Sequence, residues 1–260
     1  MKKSKVMLFG AMALTAGLAL AACGSSQSSN TDKIYSYIFV NNPDTLDYIT
    51  STRDSTSSIT TNLIDGLLEN DQYGNLIPSM AESWTVSKDG LTYTYKIRQG
   101  AKWYTSEGEE YADVTAHDFV TGLKYAADKK AENLYLVQDS IKGLADYVEG
   151  KSSDFATVGV KAVDDYTLQY TLNQPETYWN SKTTASILSP VNEAFLKSKG
   201  DDFGSVTPSS ILSNGPYLFK SFTSKSLIEF DKNPNYWDKD NVKIEKVKLS
   251  FFDGSDQDSI

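Results

Sequence analysis

His117 is the only imidazole and Cys23 the only thiol in this chain. A nucleophilic hydrolase needs a base beside its nucleophile, most often His. His117 sits next to Asp118 at what reads as a helix start, with no Ser-containing elbow and no HExxH partner around it. Zinc sites draw on three or four His and Cys ligands, and one His with a distant Cys does not supply them. His117 therefore reads as a polar first-turn residue. Glu107, Glu109 and Glu110 flank Gly108, and Asp253 to Asp258 reads DGSDQD. Neither run has the ligand spacing of a calcium loop, so both read as solvated surface. No Gly-rich phosphate loop is present, which assigns any ATP hydrolysis to a partner. The expectation is a protein that is not an enzyme, with no cofactor and no metal.

The chain has 25 basic and 34 acidic residues, a net charge of −9. A nucleic-acid partner calls for a basic footprint, so none is expected. Residues 1–22 read as a targeting segment: Lys2, Lys3 and Lys5 precede an apolar run from Val6 to Leu20. It ends Leu20-Ala21-Ala22-Cys23-Gly24, which resembles a lipobox. Cleavage before Cys23 would free its amine and leave its sulfur to carry an acyl chain. Two or more such chains anchor a protein to a membrane at about 0.8 kcal/mol per buried CH₂. Loss of the three Lys would take the charge from −9 to −12. Residues 23–32 would then be a lipidated flexible tether, polar and rich in Ser. With Cys23 spent there, the chain has no disulfide framework.

Beyond the tether, elements alternate. Lys33 to Val40 is β-branched and aromatic, a strand. Asn41 to Tyr48 is a polar turn segment, and Ser55 to Leu68 is expected as a helix with Ile59, Leu63 and Leu67 on its inner face. Ser83 to Val86 and Leu91 to Arg98 make a hairpin about Lys88-Asp89-Gly90. In the second strand Leu91, Tyr93, Tyr95 and Ile97 alternate with polar residues. Thr115 with Asp118 predicts a helix start of the capping-box kind. Leu134 to Val148 is expected helical, and Thr157 to Leu172 as two strands about Asp164-Asp165. Ser189-Pro190 is expected to open a short helix that ends at Gly200. Val242 to Phe252 reads as a last strand.

Two runs carry a family resemblance. The first is Pro78, Ala81-Glu82-Ser83-Trp84, Asp89-Gly90-Leu91-Thr92-Tyr93, Ile97-Arg98, Lys102-Trp103 and Ala116-His117-Asp118-Phe119. The second is Asn214-Gly215-Pro216-Tyr217 followed by Asn233-Pro234-Asn235-Tyr236-Trp237-Asp238. Together they resemble the family-5 extracellular solute-binding proteins, the oligopeptide receptors of bacterial ABC importers. The resemblance implies an α/β fold like the type II periplasmic-binding proteins, present as the N-terminal part only, without the second lobe. Residues 33–75 and 185–260 would belong to lobe one, and residues 76–184 to an inserted subdomain. Tyr236 and Trp237 would pack the returning chain as core residues.

The resemblance further implies capture of extracellular oligopeptides by a lipid-anchored protein on the outer face of the cell membrane, with ABC permease subunits as partners. The family has a Leu-Asp-Pro loop after its first strand. Thr45-Leu46-Asp47 match it, and Tyr48 replaces the proline. The implied ligand contacts are Asn41, Asn42, Thr45 and Asp47, with Trp103, Tyr104 and Asn214 further along. Two other readings stay open: another solute for the same family, an oligosaccharide or a metal chelate, or a truncated surface lipoprotein acting by protein contact without transport.

Overall fold

A computed structural model describes residues 33–254. The expected signal segment, Cys23, the tether before residue 33 and the acidic run beyond Gly254 lie outside the described residues. The chain opens with β1 (Ile34–Phe39), a loop, and the short helix α1 (Asp54–Thr60). A small hairpin of β2 (Leu68–Asn70) and β3 (Leu76–Pro78) leads to β4 (Ala81–Val86), β5 (Thr92–Ile97), β6 (Lys102–Tyr104) and β7 (Glu110–Asp113). Helix α2 (Ala116–Lys129) and the short α3 (Leu144–Val148) precede β8 (Val160–Asp164) and β9 (Thr167–Thr171). Helices α4 (Trp179–Lys182) and α5 (Glu193–Lys199) lead to β10 (Tyr217–Thr223), β11 (Leu227–Lys232) and β12 (Lys246–Phe251).

Two four-stranded sheets organise these elements. One has the order β4-β5-β9-β8 and is antiparallel throughout. The other has the order β1-β12-β11-β10, with β1 and β12 parallel and the other pairs antiparallel. The alternation in β5 does what its period predicts. Tyr93, Tyr95 and Ile97 are buried, and Lys96 between them is exposed. Tyr93 stands opposite Tyr170 and Tyr95 opposite Leu168. The Tyr95 and Tyr170 rings meet edge-on at 6.2 Å, and Trp179 closes on Tyr170 at 5.3 Å. Such ring pairs add roughly 0.5–1.5 kcal/mol beyond their burial. Helix α2 sends Phe119, Leu123, Ala126 and Ala127 into the same core. Its start is the expected capping box, Thr115 and Asp118 exchanging side-chain and backbone bonds.

The helix expected over 55–68 stops at Thr60. The Leu63 carbonyl accepts instead from the backbone N–H groups of Asn214 and Gly215 at 3.1 and 2.8 Å, and from the Ser213 hydroxyl at 2.8 Å. A long-range partner thus takes an acceptor that a continuing helix would use, and Leu68 begins β2. The helical stretch expected over 134–148 is broken as well. Ile141 bridges Leu172, the Lys142 N–H donates to Thr171, and Gly143 takes φ +72°, leaving only α3 helical by the α pattern. Near 190 the cap is Asn192, which accepts from the Phe195 N–H, rather than Ser189. Residues 189–191 run extended because they bridge other elements: Val191 N–H donates to the Asp118 carbonyl and Pro190 O accepts from Tyr48. The last strand is shorter than expected, Lys246–Phe251.

Candidate functional site

The loop from Asn41 to Tyr48 leaves the end of β1 and is held from several sides. Asn42 donates to Ser224 Oγ at 2.9 Å and accepts from the Lys225 N–H at 3.0 Å, which ties the loop to the β10–β11 turn. Thr45 donates to the Gly204 carbonyl at 2.9 Å, and its hydroxyl accepts from the Asp47 N–H. Gly204 sits at φ +72°, and any Cβ there would run into the Asp47 backbone. Asp47 is buried, with both oxygens occupied. Oδ1 accepts from the N–H groups of Ile49 and Thr50 at 3.1 and 3.2 Å. Oδ2 accepts from the Thr50 hydroxyl at 2.6 Å and from Tyr125 at 2.9 Å. Asn41 alone of these four is exposed.

A groove of about 690 Å³ opens beside this loop. Its sheet wall includes Tyr35, Tyr37, Phe39, Val247 and Leu249, and its other wall includes Asp54, Ser55 and Ser58 of α1 and Asn62 in the turn after it. Asn41 and Pro43 line its end. Tyr35 and Tyr37 stand opposite Val247 and Leu249 in register, so one face of the parallel pair forms the floor.

Trp103, Tyr104 and Asn214 lie elsewhere, Trp103 at the start of α2 and the other two around a second centre. Trp103 is buried and donates from Nε1 to Asp118 Oδ2 at 3.1 Å. Burial pushes the Asp118 carboxyl up to about 6, against the pull of the Thr115 N–H and the Trp103 donor. Tyr104 is buried, pairs with Ser213 through the backbone and donates to the Asn235 carbonyl at 2.9 Å. Asn214 is buried and closes a two-bond ring with the backbone of Asp65, at 2.9 and 3.1 Å. The Asp65 carboxylate accepts from the Tyr236 hydroxyl at 2.7 Å and from Trp237 Nε1 at 3.3 Å. Burial lifts it to about 6, and those two donors and Ser79 oppose the rise. The Arg98 guanidinium stacks 3.6 Å above the Trp237 ring. Both family runs thus converge on Asp65. Of the seven implied contacts, four lie on the first loop, and Tyr104 and Asn214 meet near Asp65.

Sequence reasoning did not single out Asp65 or the polar face of α1. Asp65 stood inside an expected helix, where an acid among apolar residues reads as a solvated position. The Tyr35-Tyr37-Phe39 alternation is legible in the sequence, but by itself it indicates only a strand. Among the described residues no cluster of three or more His, Cys, Asp or Glu is placed to hold a metal, and no helix is long and apolar enough to cross a membrane.

Fold and groove together define an α/β module whose cleft is lined by aromatic and aliphatic side chains with a few hydroxyls, amides and one carboxylate. Residues 75–259 match the model of the bacterial extracellular solute-binding proteins, family 5, middle region. The chain belongs to that family. It is 64% identical to the oligopeptide-binding protein SarA of Streptococcus gordonii over 265 aligned residues, 99% of this chain and 40% of SarA. It is also 64% identical to the oligopeptide-binding protein AliB of Streptococcus pneumoniae, again over 99% of this chain and 39% of AliB. Among solved structures, Listeria monocytogenes OppA bound to peptide superposes with a TM-score of 0.78 at 31% identity, covering 85% of this chain and 43% of that one. The chain spans about two fifths of the length of the relatives it matches.

Proposed function

We propose that this chain forms part of a lipid-anchored receptor that captures oligopeptides outside the cell and delivers them to an ABC permease. The observation that carries this reading is the 64% identity to two oligopeptide-binding proteins across 99% of the chain. Peptide main chain would bind by strand-like hydrogen bonding, which gives affinity without fixing sequence, and bridging water would accommodate varied side chains. Asn41 would touch the ligand directly at the end of the groove. Asn42, Thr45 and Asp47 would act by holding the loop, Tyr104 and Asn214 by holding the framework around Asp65, and Trp103 by holding the start of α2 through Asp118. Residues 33–75 and 185–260 would form one lobe and 76–184 a subdomain, giving one wall of a cleft. Cys23 would carry the acyl anchor on the outer membrane face.

The test replaces the matching part of AliB with this chain. The chimera is expected to co-purify with heterogeneous peptides in native mass spectra, and Asn41→Ala to weaken a defined peptide about tenfold, one lost hydrogen bond with its desolvation. A chimera with a cooperative melt and no bound peptide overturns the reading. Labelled palmitate is expected to enter the full chain in a Gram-positive host and to be lost in Cys23→Ser; equal labelling of both forms would remove the anchor from the account.

A further inference from the structure

Asn214-Gly215 is the only Asn-Gly pair in the chain. Asn followed by Gly is the dipeptide most prone to deamidation, because no side chain on the second residue shields its nitrogen from the Asn amide carbon. Here the surroundings demand both residues. A Cβ on Gly215 would lie 2.8 Å from the carbonyl carbon and oxygen of Leu63, so a larger residue does not fit. Asn214 offers one acceptor and one donor to the backbone of Asp65, in bonds of 2.9 and 3.1 Å. An ionised Asp in its place would have no donor.

The same contacts hold the reaction back. Cyclisation needs the Gly215 nitrogen freed of its proton and brought onto Asn214 Cγ. That N–H donates to the Leu63 carbonyl at 2.8 Å and to the Ser213 hydroxyl at 3.3 Å. The Gly215 carbonyl accepts from Asn233 at 3.3 Å, so the peptide units on both sides of Gly215 are tied. Asn214 is 2% exposed, and both ends of its amide are taken by Asp65. The Asp65 carboxylate also faces Gly215, with Oδ1 3.2 Å from where a Cβ would stand, and its charge opposes an anionic nitrogen.

We propose that Asn214 is a deamidation site that the folded chain keeps closed and that opening of the Asp65 junction unlocks. The Gly215 nitrogen, its proton lost to hydroxide, attacks Asn214 Cγ. The bond from Cγ to the side-chain nitrogen breaks, and ammonia leaves with a proton taken from water. Water then opens the succinimide, at the side-chain carbonyl to give aspartate or at the main-chain carbonyl to give isoaspartate. One water is consumed and one ammonia released overall. Either product puts a carboxylate where the amide stood. The Asp65 carbonyl loses its donor, and a second negative charge joins the Asp65 carboxylate at a buried junction. The junction then recloses poorly, so each opening draws a fraction of the chains into a one-way loss. The inference concerns the lifetime of the fold and stands apart from peptide binding.

The experiment holds the full chain, and its chimera with AliB, at pH 8 with and without guanidinium and follows each asparagine by peptide mass mapping. A synthetic peptide of residues 212–217 in both solutions reports the effect of the denaturant itself. In denaturant Asn214 is expected to react fastest of the chain's asparagines. In buffer it is expected to react at least roughly tenfold more slowly than in denaturant, because only opened molecules react. Tyr236→Phe removes a hydrogen bond to Asp65 and keeps the ring. It is expected to speed the reaction in buffer several-fold and to leave the denatured rate unchanged. Chains deamidated at 214, separated by anion exchange, are expected to melt below the unmodified chain. Equal rates in buffer and denaturant for both proteins overturn the proposal, as does a denatured chain in which Asn214 reacts no faster than the other asparagines. A deamidated chain that melts with the unmodified one overturns it too, because the junction then recloses.

Discussion

Strand β5 reads TYTYKI and strand β1 reads IYSYIF, two short runs with tyrosines two apart. Tyr95 in the first is fully buried, whereas Tyr37 in the second is 57% exposed. The difference lies in what each strand meets. Strand β5 has β4 on one side and β9 on the other, α2 packs on the adjoining β8 and β9, and Trp179 closes the ring cluster. Strand β1 has a neighbour on one side only, and the seven-residue α1 leaves a groove above its rings. Strand pattern therefore sets which residues share a face, while burial is decided by partners distant in sequence.

The largest effect that separates the two sheets is a core truncation. Trp179→Ala removes a buried ring packed on Tyr93 and Tyr170 and should cost about 3–5 kcal/mol in urea unfolding. Tyr37→Ala, on the open strand, should change stability by no more than roughly 0.5 kcal/mol. Comparable losses at both positions would erase the contrast.

Acidity gives a smaller effect that sharpens it. Asp118 anchors α2 beside the closed sheet, and Asp65 joins the segment before β2 to the chain after β11. Both carboxyls are raised to about 6 from an ordinary 3.8, with burial as the main cause. A raised carboxyl means that the folded chain binds protons more readily than the unfolded one. Stability should therefore increase as pH falls from 7 through 6 toward 4, by roughly 2 kcal/mol for each of the two groups. Below about 4 the unfolded chain also protonates, and carboxyls lowered by hydrogen bonds, Asp89 and Asp164 among them, lose their contribution. Denaturant titrations across pH 4–8 check this, and Asp118→Asn should flatten part of the slope. A stability that falls steadily from pH 7 to 5 would contradict it.

A further small effect lies within the closed sheet. Tyr170 is buried, and its hydroxyl has no hydrogen-bond partner among the described residues. Tyr170→Phe should keep the ring packing and be neutral or stabilising by about 1 kcal/mol in the same assay. A loss above that would mean the hydroxyl is satisfied by ordered water.

Local patterns were readable where the chain is its own partner. The β4–β5 hairpin, the β8–β9 pair, the Thr115–Asp118 box and the turn at Gly200 follow from alternation, Gly conformation and capping chemistry. Errors fell where a remote segment takes over a backbone group. The helix after Asp54 ends early because Ser213, Asn214 and Gly215 occupy the Leu63 carbonyl. The stretch after Leu134 bends because Ile141 and Lys142 pair with Thr171 and Leu172. The site divides in the same way. The Asn41–Asp47 loop announced itself through its composition, but the full occupation of Asp47 depends on Tyr125, 78 residues on. The hub at Asp65 depends on Asn214, Tyr236 and Trp237, which no local window contains.

Hydrogen exchange of the full chain, followed by mass spectrometry, tests the contrast most directly. Amides of β5 and β9 should exchange only through global opening, while amides of β1 should exchange many-fold faster from an uncovered edge. Equal protection of β1 and β5 would show that the β1 surface is already covered in the isolated chain, contradicting the open-edge account.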